Sequence, residues 1–415
     1  MCFQVDCGNT EKLILPKILK LFYIQAAFND IFPESVFFHL QPVIFCKISY
    51  NYTYIFYLYV EIVLLFGFYS RIMELVRYDR ISGRCRIMNT VIIILLVVLA
   101  IAVVLLFAIC GFLFNQIIWY KPIKLPAAKG EVEDDFAKDH RKAEEEFGKM
   151  PFEKLTLTAS NGEKIYARLL LPEKSNGRMI IACHGAHSSG ICEFCFSAPY
   201  FHRMGYTILM PEHRGCGESE GKFLGYGTHE SKDTFLWIDC ARKRFPELDI
   251  FLLGVSMGGA TVLMMSDKIT DPTVKGIIAD CSYTSAWDEF AYQLKNPFGL
   301  PAFPLLYIFD LYCRIICKYS LRDASPIKAV RSAKVPILFI HGAKDTLVPV
   351  KMQKELFDAC PTQKEMLTVE NAVHAQSYYT DPRAYEATAE KFINECENTE
   401  NTSALSAPGG GKQIG

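Results

Sequence analysis

The sequence predicts an α/β protein, with a mostly parallel sheet covered by helices on both faces and a membrane helix ahead of it. Three observations carry this. From Met150 onward, short apolar runs alternate with helical stretches. Most of those runs are continuously apolar, as strands buried on both faces are. Between Arg86 and Lys121 there is no charged residue.

The bulk properties set bounds. A chain of 415 residues accommodates one large or two ordinary domains. A net charge of −1 argues against a nucleic-acid partner. The 15 cysteines are scattered, several of them inside apparent strands and helices, and their spacing suggests no disulfide framework. They read as buried small hydrophobes, which suits a reducing or anaerobic setting. Cys192-x-x-Cys195 has neither a second pair nor a nearby His-x-x-x-His. No metal site and no cofactor are expected.

Along the chain, residues 1–87 are rich in Phe, Tyr, Ile and Cys and have no regular period. Two readings stay open. Tyr54 to Tyr69 could form a second span, although Glu61 sits in its middle. Alternatively, Met88 is the start and the preceding residues are an untranslated extension. Val91 to Phe114 is almost wholly apolar and long enough to cross a bilayer, which takes about 20 residues. Trp119, Tyr120, Lys121 and Lys124 suit an interfacial anchor. Residues 88–120 are therefore the expected transmembrane anchor and 121–149 a charged, solvated juxtamembrane linker. With Arg71, Arg77, Arg80, Arg84 and Arg86 before the span and Lys121, Lys124 and Lys129 after it, the charge bias puts the following domain outside the cytoplasm. A start at Met88 weakens or reverses that bias.

The domain itself is expected over 150–396, self-contained, with a disordered polar tail over 397–415. "LTLTAS" and "KIYARLLL" flank Asn161-Gly162, a hairpin signal. The strands that follow are "RMIIACHG", "YTILMPEHRG", "DIFLLGVSMGG", "VKGIIADCS", "VPILFIHGAKD" and "EMLTVENAVH". Helices are expected at Glu193 to Met204, Asp233 to Phe245, Met257 to Lys268, Val350 to Ala359 and Tyr385 to Cys396. More than fifty residues separate "IIAD" from "VPILF", too many for a simple connection. They are apolar and aromatic, and read as a cap at about 284–325 over the carboxyl edge of the sheet.

The chemistry gathers at that edge. Gly254-Val255-Ser256-Met257-Gly258 is G-x-S-x-G where a buried strand meets a helix. A serine on such a turn presents its hydroxyl at the pocket floor, and the glycines allow close approach of neighbouring chain. A nucleophilic serine needs a base, and the base an orienting acid, in the order Ser, acid, His. Two histidines follow Ser256. His341 precedes the acid candidate and reads as structural, whereas His374 lies in the loop after the last strand. Asp345, in "HGAKDTLVP", is the expected acid. Asp280 is the alternative, one strand earlier, and is expected instead to hold the base of the cap through backbone amides. The oxyanion donors are the backbone N–H groups of Met257 and Ala186. His184 is expected to shape the latter's loop; His187 is either a surface residue or a substrate contact.

"HGAHSSG", "PEHRGCGES", "GVSMGG", "HGAKDTLVP" and the terminal "AVH", in this order from Leu155 to Cys396, resemble the α/β-hydrolase superfamily. "GIIADCSYTS" and the cap before "SPIKAVRSAKVPILFIHG" are similar to bacterial membrane-anchored, serine aminopeptidase-like or esterase-like hydrolases of the Bem-type group. The resemblance implies an α/β-hydrolase fold with an eight-stranded, mostly parallel sheet and a cap after strand 6. It also implies a Ser256, Asp345, His374 triad, with Arg214 in a structural loop. The expected activity is hydrolysis of a small-molecule ester or acyl substrate through an acyl-enzyme. Peptide or amide cleavage, acyl transfer and thioester hydrolysis are the alternatives, and a non-catalytic scaffold is a further one that the filled triad disfavours.

Overall fold

The computed structural model describes residues 86–119 and 135–405. The readings made for residues 1–85, including the second span, for 120–134 and for 406–415 fall outside these. The chain divides into two compact units, Met1–Ile101 and Ala102–Gly415. Of the first, the described residues form the opening half of a helix, α1, Arg86–Ile117. Over Ile92–Ile117 this helix is long and apolar enough to cross a membrane.

In the second unit, α2 (Asp135–Gly148) precedes the strands β1 (Glu153–Thr158), β2 (Lys164–Leu170) and β3 (Arg178–Cys183). Two short helices, α3 (Gly190–Phe194) and α4 (Ala198–Arg203), lead to β4 (Thr207–Glu212), α5 (Glu230–Arg244) and β5 (Asp249–Val255). Then come α6 (Met257–Leu263), β6 (Val274–Asp280) and the cap helices α7 (Ala286–Phe298) and α8 (Leu305–Tyr312), the latter continued by a π-helical turn over Cys313–Cys317. The chain ends with α9 (Pro326–Val330), β7 (Ile337–Gly342), α10 (Lys351–Ala359), β8 (Lys364–Val369), α11 (Ser377–Thr380) and α12 (Pro382–Leu405).

All eight expected strands form one sheet in the order β1-β2-β4-β3-β5-β6-β7-β8. β1 and β2 are antiparallel, and β2 is antiparallel to β4; every other pairing is parallel. The central strands are apolar along most of their length because each face meets a different core. Along β5, Ile250 and Leu252 point to the layer containing Trp237, Val262 and Leu356. Phe251, Leu253 and Val255 point to the layer containing Phe194, Phe201, Tyr385 and Phe392. The expected helix Glu193 to Met204 is two helices, because Pro199 disfavours a helical Ala198 within a continuous run but suits the first turn of a new one. The last helix runs to Leu405, into the 397–415 tail for which disorder was expected.

Two expectations change. α2 is not merely solvated: its His140 and Phe147 are buried, and Phe147 joins the core beside Phe152 with ring centroids 5.2 Å apart. The end of α1 is also core. Cys110, Phe114 and Ile118 are at most 5% exposed, and Phe114 and Ile118 pack in one cluster with Leu224, Leu306 and Phe309. The Ile118 carbonyl accepts the Leu224 N–H at 2.9 Å, and Trp119 forms a β-bridge with Phe223. A domain begun at Met150 therefore lacks part of its own core. Removing a buried phenylalanine side chain typically costs about 3–5 kcal/mol. Phe114→Ala in the full-length chain is expected to lower stability on that scale. The chain 150–396, which loses Phe114, Ile118 and Phe147 together, is expected to melt without cooperativity and to bind a hydrophobic dye. Thermal melting in detergent checks both, and a cooperative melt of 150–396 at the full-length midpoint would refute the account.

Candidate active site

Ser256 ends β5 and opens α6 with φ +55°, outside the usual range for a residue with a side chain. The surrounding glycines allow this. A Cβ on Gly258 would overlap the Cys183 carbonyl, and one on Gly254 would overlap the backbone of Gly258. The turn is held by the Ser256 N–H donating to the Asp280 carbonyl at 2.9 Å.

Ser256, His374 and Asp345 come together. His374 Nε2 is 2.9 Å from Ser256 Oγ, and His374 Nδ1 is 2.7 Å from Asp345 Oδ2. Since an ionised carboxylate only accepts, Nδ1 carries the proton and Nε2 is free to accept one from the serine. Asp345 Oδ1 accepts the N–H groups of Leu347 and Val348 at 2.9 and 2.8 Å. Burial pushes this carboxyl up, but hydrogen bonds from His341 and His374, the His374 charge and the Val348 amide outweigh it and hold it at about 2. His341 sits behind, with Nε2 2.9 Å from the Val348 carbonyl and 3.4 Å from Asp345 Oδ2.

Asp280 is not a partner of His374 and does not fasten the cap through backbone amides. Its Oδ1 accepts the Ser377 hydroxyl at 2.9 Å, and burial pushes its carboxyl up to about 6.

The loop after β3 borders the same space. Gly185 donates its N–H to Glu193 Oε2 at 2.9 Å, and a Cβ on Gly185 would lie 3.5 Å from that of Ser256. His184 donates through Nδ1 to the Gly185 carbonyl at 2.8 Å and accepts the His213 N–H at 3.1 Å. It therefore shapes the loop. His187 donates to the Ile117 carbonyl at 2.9 Å, closing the end of α1. Tyr226 donates to the same carbonyl at 3.4 Å. Arg214 is held by Asp233 through two hydrogen bonds of 2.6 Å.

These groups open onto a cavity of about 760 Å³. Ser256, His374, Ala186 and Met257 line one side, and Leu113, Phe136, Phe196, Phe290 and Phe298 supply apolar walls. Sequence reasoning missed two acids in it. Glu193 orders the loop, and Glu289, on α7, is pushed up to about 8 by burial and by Asp345 nearby. No local pattern marks either. His140 was missed as well, 2.9 Å through Nε2 from the Cys192 carbonyl, with Glu144 3.9 Å from its Nδ1. Burial pushes the Cys192 thiol up to about 12. The eleven described cysteines are all free.

Two family models match: "Serine aminopeptidase, S33" over residues 174–308 and "Serine hydrolase (FSH1)" over 252–374. Together they cover the serine elbow, the acid turn and the terminal histidine. The chain belongs to the α/β-hydrolase superfamily. The hydrolase is 28% identical to the uncharacterized protein YqkD of Bacillus subtilis, over 53% of this chain and 72% of that one. It is 26% identical to an uncharacterized membrane protein of Saccharomyces cerevisiae, over 52% and 71%. It is 25% identical to the monoglyceride lipase of Rattus norvegicus, over 54% and 84%. Among solved structures, the hydrolase is similar to an esterase of Pyrococcus furiosus at 19% identity, with a TM-score of 0.48, over 66% of this chain and 99% of that one.

Proposed function

We propose that this serine hydrolase is a membrane-anchored carboxylic-ester hydrolase working through Ser256, His374 and Asp345. The observation that carries the reading is the hydrogen-bonded relay, 2.9 and 2.7 Å long, at the floor of a mainly apolar cavity. Ser256 Oγ attacks the ester carbonyl carbon while His374 Nε2 takes its proton. Asp345 keeps the imidazole tautomer and stabilises the imidazolium. The N–H groups of Met257 and Ala186 receive the developing oxyanion, a role in which one donor is typically worth about 3–4 kcal/mol. His374 then protonates the departing alcohol. Water, deprotonated by His374, releases the acid and restores Ser256.

The name of the monoglyceride lipase relative favours an ester, while acylamino-acid-releasing enzymes among the relatives keep amides as the competing substrates. The apolar cavity walls tilt the balance to acyl groups. The Ile92–Ile117 helix is the proposed anchor, with the hydrolase on the extracytoplasmic side as the arginines before it suggest. A panel of esters beside matched peptide amides tests the chemistry. Esters are expected to show kcat/KM orders of magnitude above the amides, and the reverse ranking would overturn the reading.

A further inference from the structure

A second cavity, of about 320 Å³, adjoins the catalytic one. One wall is the end of α1, with Ile109, Cys110, Leu113 and Ile117; the other is the cap, with Leu294 and Phe309 among its residues. Gln293 is its one strongly polar lining residue. Its amide is engaged with the Leu347 carbonyl. The two cavities share Leu113, Ile117, Phe290, Gln293 and Phe298 as walls. An apolar space of this kind suits hydrocarbon and disfavours water.

Its position relates it to the membrane. Twenty residues counted from Val91, enough for a bilayer core, end at Cys110. On the proposed anchor, a span counted this way would bring Ile109 and Cys110 to the border between hydrocarbon and headgroups. The cap reaches the same level, because the Tyr312 hydroxyl donates to the Phe107 carbonyl at 3.2 Å and the Cys110 thiol to the Leu305 carbonyl at 3.6 Å. The outer face of the cap is apolar. Phe303, Tyr307, Leu311 and Ile315, every fourth residue, are between 44 and 69% exposed, and Phe298 is 70% exposed. Arg322 lies 3.3 Å above the Trp287 ring, whose centroid is 5.1 Å from that of Tyr307. Aromatic and cationic side chains bordering an apolar stripe suit an element lying in a membrane interface.

We propose that the anchor helix is itself a wall of the substrate site: the acyl chain of a membrane lipid ester leaves the bilayer along the cap and lodges between Ile109–Ile117 and Leu294, with its ester at Ser256. This rests on the ester-hydrolase reading and names its substrate class as long-chain acyl lipids. The chain would be released as the fatty acid through the steps already given.

The test uses full-length protein in detergent micelles, with palmitoyl and butyryl monoglycerides. The wild type is expected to prefer palmitoyl by kcat/KM. Leu294→Trp, which fills the second cavity, is expected to lower the palmitoyl-to-butyryl ratio by about tenfold or more, and Leu294→Met to restore it. Ile109→Trp fills the same space from the helix side and is used if Leu294→Trp does not melt cooperatively. A ratio below one in the wild type, or a ratio untouched by either tryptophan, overturns the inference while leaving ester hydrolysis standing. Absence of hydrolysis of both esters by folded wild type overturns the underlying reading instead. A readout without turnover separates the two. In Ser256→Ala protein, a monoglyceride with a photoreactive group at its acyl end is expected to label peptides containing Ile109–Ile117 or Leu294. Labelling confined to other regions, as when another molecule fills the cavity, refutes the site.

Discussion

Ser256→Ala is expected to abolish labelling by a fluorophosphonate probe and to reduce ester turnover by up to about a million-fold, the scale on which a serine protease loses activity with its nucleophile. The size follows from the arrangement. His374 Nε2 has Ser256 Oγ as its 2.9 Å partner, and the other nearby polar groups have separate tasks. Glu193 is committed to the Gly185 amide, and Asp345 to His374 and to two backbone amides. The remaining activity comes from the oxyanion donors and from binding. Folding should survive the change. Alanine keeps the Cβ, adopts the same φ of +55° at similar strain, and leaves the Ser256 N–H bond to the Asp280 carbonyl in place. Mass spectrometry of the labelled peptide, with p-nitrophenyl ester kinetics and a melting curve, checks all three points. Retained ester hydrolysis by the pure variant would sink the nucleophile assignment.

Local patterns made the sheet and the elbow legible because both are written in neighbouring residues. Strands such as "DIFLLGV" are apolar after their first residue, since two cores face them, and the glycines about Ser256 answer close backbone, Gly254 that of Gly258 and Gly258 the Cys183 carbonyl. What escaped the sequence was long-range. The helix Arg86–Ile117 is apolar on every side, so nothing in its pattern distinguishes the turn that packs against the cap, at Cys110 and Phe114, from the turns that do not. His187 lies 70 residues from Ile117, whose carbonyl it caps, and a loop histidine gives no sign of such a partner. Glu289 reads as one more acid in the first turn of a cap helix until the fold turns it into the cavity. The same blindness produced the expectation of a self-contained domain from Met150.

Asp345→Asn is expected to lower turnover by about 10⁴-fold, as loss of the orienting aspartate does in a well-studied protease, while Asp280→Asn stays within about tenfold of wild type. An asparagine at 345 can turn its NH₂ toward Nδ1. That would favour the tautomer with the proton on Nε2, which cannot accept one from Ser256. The same change should cost stability. The Asp345 carboxyl lies near 2, below its unfolded value of 3.8, so its ionised form stabilises the fold above pH 3.8, and that contribution is lost as pH falls through 2. The shift corresponds to about 2 kcal/mol at neutral pH. Asp280 has the opposite sign. Burial raises it to about 6, so its proton favours the fold fully below pH 3.8, and this advantage is lost as pH rises through 6. Asp280→Asn removes a buried charge above that pH and keeps an acceptor for the Ser377 hydroxyl. Its melting point should therefore gain on wild type between pH 5 and pH 8, in contrast to the loss expected if Asp280 held the base of the cap. Ester kinetics and melts at both pH values decide the matter. A dead Asp280→Asn beside an Asp345→Asn of near-normal turnover would move the acid to the earlier strand.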